Sequence, residues 1–210
     1  MTRSYSFDKQ AALDANSGGK RIKDAGAYLG KFKYAWGETN QNGTESVQLH
    51  FVADNGQEAG PLALYTFNQK GEKLPAYNTL NAIMTVLRVP NLTPVKAQVE
   101  LYDFDSRSMV SKTKDTFQQL MGKPIGLVLQ REEYQGQSGL KECLIVVGCY
   151  EAATSYMADE IINKVALPVA LDRMKRWLEA HPVKALKNVA ARRQAESAGA
   201  ELAPDDEIPF

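Results

Sequence analysis

Cationic and aromatic side chains are the residues of this chain whose types point most directly to a chemistry. Binding of a single nucleic-acid strand without sequence preference needs cations that pair with phosphates and flat rings on which bases stack. Each stacked base contributes about 1–3 kcal/mol by alanine substitution. The candidate cations are Lys20, Arg21, Lys23, Lys31, Lys33, Lys70, Arg88 and Arg131, and the candidate rings are Tyr34, Trp36, Tyr65 and Phe67, with His50 a weaker one.

The same rings must also supply a hydrophobic core. Because one face of every strand in a small barrel is buried, half or more of its aromatic side chains belong to the interior. We assign Tyr28, Phe32 and Phe51 to the core. Phe32, Tyr34 and Trp36 share a parity, so a regular strand would place all three on one face. Strands in barrels often bulge, and Trp36, which lies next to the following turn, is the favoured binding ring of this series.

The last six residues form a second candidate site, made of Asp205, Asp206, Glu207, Ile208, Pro209 and Phe210. A terminal Phe offers a ring and an α-carboxylate at one place, so it can fill an apolar pocket while a cation of a partner pairs with the carboxylate. The preceding acids would face a basic rim and speed the encounter. The tip is therefore predicted to dock on partner proteins. It can also fold back on the cations of the body, or serve only as a solvating tail.

Opposite charges are segregated along the chain. The sequence contains 25 Lys and Arg and 25 Asp and Glu, and its formal net charge is zero. Residues 1–193 carry a balance of +5, whereas residues 194–210 contain five acids and no base. Any proposed function must account for this pattern of a basic segment (1–193) followed by an acidic one (194–210).

Several kinds of chemistry are not indicated. Cys143 and Cys149 provide no disulfide framework and are predicted to be small buried side chains. His50 and His181 do not lie in a metal-ligand motif, and nothing completes a nuclease site around Asp103 and Asp105. We expect a protein that is not an enzyme and has no cofactor and no metal. The chain has no apolar run of about 18 residues and no apolar leader, so we expect a soluble, cytoplasmic protein.

The hydrophobic pattern predicts the order of the elements. Strands are predicted at 27–36, 46–53, 62–67, 95–104, 124–131 and 140–150, and helices at 76–89, 115–121, 172–180 and 183–194. The order is three strands, a helix, an insertion that contains 95–104, and a two-stranded hairpin. It favours a mainly β chain with C-terminal helices: a five-stranded antiparallel OB-type barrel with a helix between strands 3 and 4. A β-sandwich or an SH3-like barrel would give similar strand patterns.

Four parts of the chain follow from this pattern. We predict a flexible basic N-terminal arm (1–24), an OB-fold DNA-binding domain (25–152), a C-terminal helical region (153–195) and a disordered acidic tail (196–210). In the helical region Leu171, Met174, Trp177 and Leu178 form an apolar stripe that packs on the barrel or on another subunit. The cations of this region either extend the DNA path or hold the acidic tip.

Particular segments resemble known single-stranded DNA-binding proteins. The final residues, 205–210, look like the acidic tip that ends the bacterial proteins of this class. Residues 27–151 are similar to the phage-encoded OB-fold members, on the segments Gly26-Ala27-Tyr28-Leu29-Gly30, Leu80-Asn81-Ala82-Ile83 and Phe117-Gln118-Gln119-Leu120-Met121-Gly122-Lys123, followed by Val128 and Glu133-Tyr134. Two features differ from the bacterial type: a long Gly- and Gln-rich linker is missing, and a basic helical region precedes the tip.

The resemblance implies a division of labour. The barrel would hold single-stranded DNA during phage DNA replication, recombination and repair, and the tip would recruit host or phage replication and repair enzymes. The two departures favour a monomer or dimer over the bacterial tetramer. The alternative is an adaptor that docks on host replication or repair enzymes through the tip without binding DNA strongly itself. A nuclease or an annealing protein is a third class.

Overall fold

A computed structural model of the chain describes residues 6–7, 21–103, 108–136 and 139–185. The strands are β1 (Gly26–Thr39), β2 (Glu45–Ala53), β3 (Glu58–Phe67), β4 (Val95–Asp103), β5 (Ser108–Thr116), β6 (Pro124–Gly136), β7 (Gly139–Glu151) and β8 (Val183–Lys184). The helices are α1 (Ala76–Val86), α2 (Ala158–Asn163) and α3 (Ala170–Ala180), with a 3-10 turn at Gln118–Leu120. The prediction of a mainly β chain is confirmed.

Strand β1 organises the sheet because different parts of it pair with different neighbours. Along one edge it pairs with β2, which in turn pairs with β3. Along the other edge residues 26–31 pair with β6, and Trp36 pairs with Thr116 of β5. Among the described residues β3 has β2 as its only ladder partner, and the sheet is open. The predicted five-stranded barrel is therefore not confirmed.

Helix α1 packs against both β3 and β7 and so fills the gap between these two strands. Pro75 precedes the helix and Pro90 follows it, in keeping with the missing N–H of proline. Its apolar stripe is buried, with Leu80, Ile83 and Val86 in the same cluster as the inner face of the sheet. The core thus lies between α1 and the inner face of β1, β2 and β6.

The turn between β1 and β2 shows how local polar groups fix a register. The Asn40 side-chain oxygen accepts hydrogen bonds from the backbone N–H groups of Asn42 (3.0 Å) and Thr44 (2.9 Å). Gly43 has a φ of +72°, a conformation that glycine adopts without steric cost. The turn therefore holds β1 and β2 in one alignment.

Helix α3 covers the opposite face of the sheet. Leu171 and Leu178 form a second buried cluster with Val128 and Tyr150, and Met174 packs against it. The apolar stripe predicted from the sequence therefore packs on the sheet, although Trp177 is 44% exposed.

The carboxylate of Glu160 joins α2 to α3. It accepts hydrogen bonds from the backbone N–H groups of Met157 (3.0 Å), Val169 (2.7 Å) and Ala170 (2.8 Å). The first backbone N–H groups of a helix have no acceptor within the helix. The Glu160 carboxylate accepts hydrogen bonds from such groups at the starts of both α2 and α3.

The structure corrects four local predictions. The helix predicted at 183–194 is replaced, where described, by β8, because Val183 and Lys184 pair with β6. The helix predicted at 115–121 is instead the end of β5 and the 3-10 turn. Strand β5 itself was not predicted. Cys143 is exposed, and Cys149 alone of the two cysteines is buried.

Most of the N-terminal arm and the whole acidic tail lie outside the described residues.

No helix in the described part of the chain is long and apolar enough to span a bilayer.

Candidate nucleic-acid interface

A β-bulge in β1 decides which aromatic side chains face the core. Phe32 pairs with Phe51 and Tyr34 pairs with His50, so Lys33 is an extra residue on the β1 side. Because opposite residues of an antiparallel pair share a face, Phe32 points into the core with Phe51. Beyond the bulge Tyr34 and Trp36 lie on the other face of the sheet. The bulge therefore places Phe32 and Trp36 on opposite faces of the sheet.

A groove of about 500 Å³ lies on this outer face, between strands β1–β3 and the β4–β5 hairpin. We call it the basic groove. Its cations are Arg21, Lys33, Lys112 and Lys114, its rings are Trp36, His50 and Tyr102, and Glu38, Glu58, Gly60, Pro61, Leu101 and Met109 also line it.

Positive charge dominates the basic groove because four Lys and Arg side chains face two carboxylates, each of which has a partner. The Lys114 ammonium lies 3.1 Å from Glu38, and His50 Nε2 lies 3.0 Å from Glu58. Within the described residues Lys33 and Lys112 form no ion pair. These two cations therefore remain available for phosphate groups.

Arg21 is held at one end of the basic groove by β3. Its guanidinium donates a hydrogen bond to the Gly60 carbonyl at 3.1 Å, and its backbone forms a bridge with Glu58. A neutral carbonyl leaves the positive charge of Arg21 uncompensated, and the remaining donors of its guanidinium suit an anionic ligand.

The rings of the basic groove differ in how accessible they are. Tyr102 is 51% exposed, whereas Trp36 is only 2% exposed. The predicted ring Tyr34 does not line the basic groove, and it packs edge-on against His50 with ring centroids 6.0 Å apart. In this conformation about half of the Tyr102 side chain is exposed to solvent, whereas Trp36 is covered.

A second groove of about 680 Å³ continues from the first. The two share Arg21, Gly60 and Pro61, and the second adds the predicted cations Lys23 and Arg131. Arg131 is partly compensated, since its Nη1 lies 3.5 Å from Glu142. An extended polymer could therefore run from one groove into the other past Arg21.

Other predicted residues lie away from these grooves. Arg88 pairs with Glu151 at 3.1 Å, and Phe67 packs edge-on against Tyr77 with centroids 5.3 Å apart. Tyr65 faces a cleft beside Trp177. Lys31 and Lys70 are exposed but do not line either groove. Lys20 and the tip residues Asp205, Asp206, Glu207, Ile208, Pro209 and Phe210 lie outside the described residues.

Sequence reasoning missed the contribution of the β4–β5 hairpin. Tyr102, Met109, Lys112 and Lys114 all line the basic groove, but residues 105–114 were not predicted to form a strand. The signal was the spacing of Lys112 and Lys114, because residues two apart in a strand share a face.

The described residues offer little for nucleophilic or metal chemistry. Burial raises the pKa of the Cys149 thiol to about 12, and burial together with the Glu132 carboxylate raises the pKa of Cys143. Neither thiol is therefore activated as a thiolate. The described part of the chain has no group of three His, Cys, Asp or Glu side chains that could hold a metal ion. Asp105 and the side chain of Asp103 fall outside it.

Comparison with known proteins gives no further guide, since no protein-family model and no curated protein matches this chain.

Proposed function

We propose that this chain binds single-stranded DNA without sequence preference, along the basic groove. The observation that carries the proposal is the combination of cations and rings on one face of an open sheet. Lys33, Lys112 and Arg21 supply positive charge without a carboxylate partner among the described residues, and Tyr102 supplies an exposed ring. Phosphates and bases need these two kinds of group together.

We further propose that the sheet is of the OB type with the β4–β5 hairpin inserted. Without that hairpin the order of elements is β1, β2, β3, α1, β6 and β7. The pairing of β1 with both β2 and β6 agrees with this assignment. OB-folds bind oligonucleotides on the face of their second and third strands, and they are partly open barrels. The basic groove lies on the corresponding face.

The acidic tip completes the proposal as a recruiting element. Its support is the sequence of residues 205–210, which joins three acids to Ile-Pro-Phe. A short peptide of this kind binds weakly, so many copies along one DNA strand would raise the effective concentration of a partner enzyme. The role that follows is to coat strands exposed during phage DNA replication, recombination and repair. An adaptor that uses the tip alone is the competing function.

A titration of fluorescent oligothymidine at several salt concentrations tests the proposal. Each phosphate neutralised on a single strand contributes about −0.7 to the slope of log affinity against log salt, so the three groove cations without a carboxylate partner predict a slope of about −2. The double variant Lys112→Ala/Lys114→Ala should bind roughly tenfold more weakly at physiological salt, with about half that slope.

Lys96→Ala is the matched control. Lys96 lies on β4 opposite Asp115, on the exposed face of the hairpin and outside the basic groove. It should bind as the wild type does. No binding by the wild-type protein even at low salt would leave the adaptor as the better account. The control removes one positive charge and the double variant removes two. A control loss of log affinity about half as large as that of the double variant would therefore show that general charge, and not the groove, holds the strand.

A further inference from the structure

The indole N–H of Trp36 is a buried donor without an acceptor. Nε1 has no hydrogen-bond partner among the described residues, and the side chain is 2% exposed. An indole N–H can only donate, and almost all buried polar groups in folded proteins have a partner. The groups around Trp36 should therefore show why this donor has no acceptor.

Trp36 is buried, but it lines the basic groove. It lies on the face opposite Phe32, paired with Gln48 across β2 and with Thr116 across β5. Neither core cluster includes it. Around it are Lys33, Lys112 and Lys114, whose charges attract anionic ligands. The unpaired donor therefore lies where the proposed function places a DNA strand.

The cover over Trp36 is the β4–β5 hairpin, which is lightly attached. At its base the Phe117 N–H donates to the Ala35 carbonyl at 2.8 Å, and above it Lys114 pairs with Glu38. Of the side chains described in the hairpin, Val99 and Thr116 alone are buried. An element that buries so little apolar surface opens at low free-energy cost.

We propose that Trp36 Nε1 donates a hydrogen bond to an oxygen of the bound DNA strand, once the β4–β5 hairpin has shifted far enough to uncover the indole. This rests on the proposed function. The acceptor is either a pyrimidine carbonyl or a backbone oxygen, since both are acceptors that a single strand carries. Trp36 then acts as a fixed donor, while Tyr102 supplies the stacking surface.

Nuclear magnetic resonance of the full-length protein, labelled with nitrogen-15, tests this inference on the wild-type chain. The sequence contains two tryptophans, so Trp177→Phe, at an exposed position, assigns the remaining indole resonance to Trp36. With saturating oligothymidine we expect a downfield shift of the Trp36 N–H proton and slower exchange with solvent. A bound strand that leaves this resonance unmoved, or that speeds its exchange, would overturn the inference.

An abasic deoxyribose-phosphate chain identifies the acceptor. The same shift with this chain assigns a backbone oxygen, and a shift with oligothymidine alone assigns a thymine carbonyl. Failure of the wild-type protein to bind either strand would remove the proposed function and the inference together. Binding without a change at Trp36 would remove the inference alone.

Trp36→Phe provides an independent readout because it keeps an aromatic ring and removes the N–H. Loss of one hydrogen bond predicts an affinity about two- to tenfold lower, with Trp177→Phe unchanged. Wild-type affinity in a folded Trp36→Phe variant would contradict the assignment. Should that variant fail to fold, the resonance of the wild-type chain still decides the question.

Discussion

Lys33 contributes more to the candidate site than a positive charge, because it also determines which face of β1 the neighbouring rings occupy. As the extra residue of the bulge in β1, it transfers Tyr34 and Trp36 to the face opposite Phe32. Phe32 then fills the core, where it is fully buried, and Trp36 joins the basic groove. A single inserted residue thus separates a structural ring from a ring of the candidate site.

Glu160 is the residue whose protonation should affect stability most clearly. Burial alone would raise the pKa of this carboxyl, but hydrogen bonds from the backbone N–H groups of Met157, Ala170 and Val169, together with Arg173, outweigh burial and lower the pKa. A carboxyl with a lower pKa in the folded state stabilises the fold above its ordinary pKa and loses that contribution as the pH falls through the folded value.

We therefore expect Glu160→Gln to lower the free energy of unfolding by about 1–3 kcal/mol at neutral pH, since hydrogen bonds to a charged acceptor are lost. The difference between variant and wild type should shrink as the pH falls below about 4.5, the ordinary pKa of this group. Urea unfolding monitored by circular dichroism across this range measures it. A difference that stays constant with pH would contradict the role given to the charge.

Sequence reasoning reached the site only in part, for a physical reason. Period-two alternation marked β1, β2 and β3, because each has one face in the core. It did not mark β5, whose side chains are mostly exposed and polar and carry no clear apolar period. The burial of Trp36 could not be predicted either, because the strands that shield it, β4 and β5, lie far from it in the sequence.

At the scale of elements, the β4–β5 hairpin connects the fold to the candidate site. It is joined to the sheet through β1, at Trp36 and Thr116, and it forms one wall of the basic groove. An attachment at one end allows the rest of the hairpin to move as a unit. Access to Trp36 requires such a movement.

Locking the hairpin should therefore weaken DNA binding. Glu38 and Lys114 lie two residues beyond the Trp36–Thr116 pair on each strand, and their side chains form an ion pair. Opposite positions of antiparallel strands have a spacing that a disulfide can span. In the variant Glu38→Cys/Lys114→Cys, built with Cys143→Ser to remove the exposed thiol, oxidation should lower affinity at least several-fold and reduction should restore it.

The two single-cysteine variants are the controls for this lock, because neither can form the cross-link. Fluorescence anisotropy with oligothymidine before and after reduction measures the change. Equal affinities of the oxidised and reduced double variant would show that the strand binds without movement of the hairpin.

At the scale of the whole molecule, opposite charges occupy different parts of one chain. The described residues gather cations in the basic groove, and residues 194–210 hold five acids without a base. Such a tail competes with DNA for the same cations, and salt screens the competition.

Removal of residues 196–210 should strengthen DNA binding or leave it unchanged, and it should abolish capture of replication or repair enzymes from a host extract. Anisotropy titration and affinity capture, each with the full-length chain alongside, measure the two effects. Phe210→Ala is the milder variant, and it should lose capture while keeping the charge of the tail. Loss of DNA binding by the truncated protein would show that the tip has been assigned the wrong role.

Photo-cross-linking shows directly whether a single strand lies in the basic groove. Oligothymidine that carries 5-iodouracil would be irradiated with the full-length protein, and the cross-linked residues would be identified by mass spectrometry. We predict adducts at Tyr102 and at neighbouring groove residues of β1, β2 and the β4–β5 hairpin. Adducts confined to the face that bears Tyr65 and Trp177 would contradict binding in the basic groove.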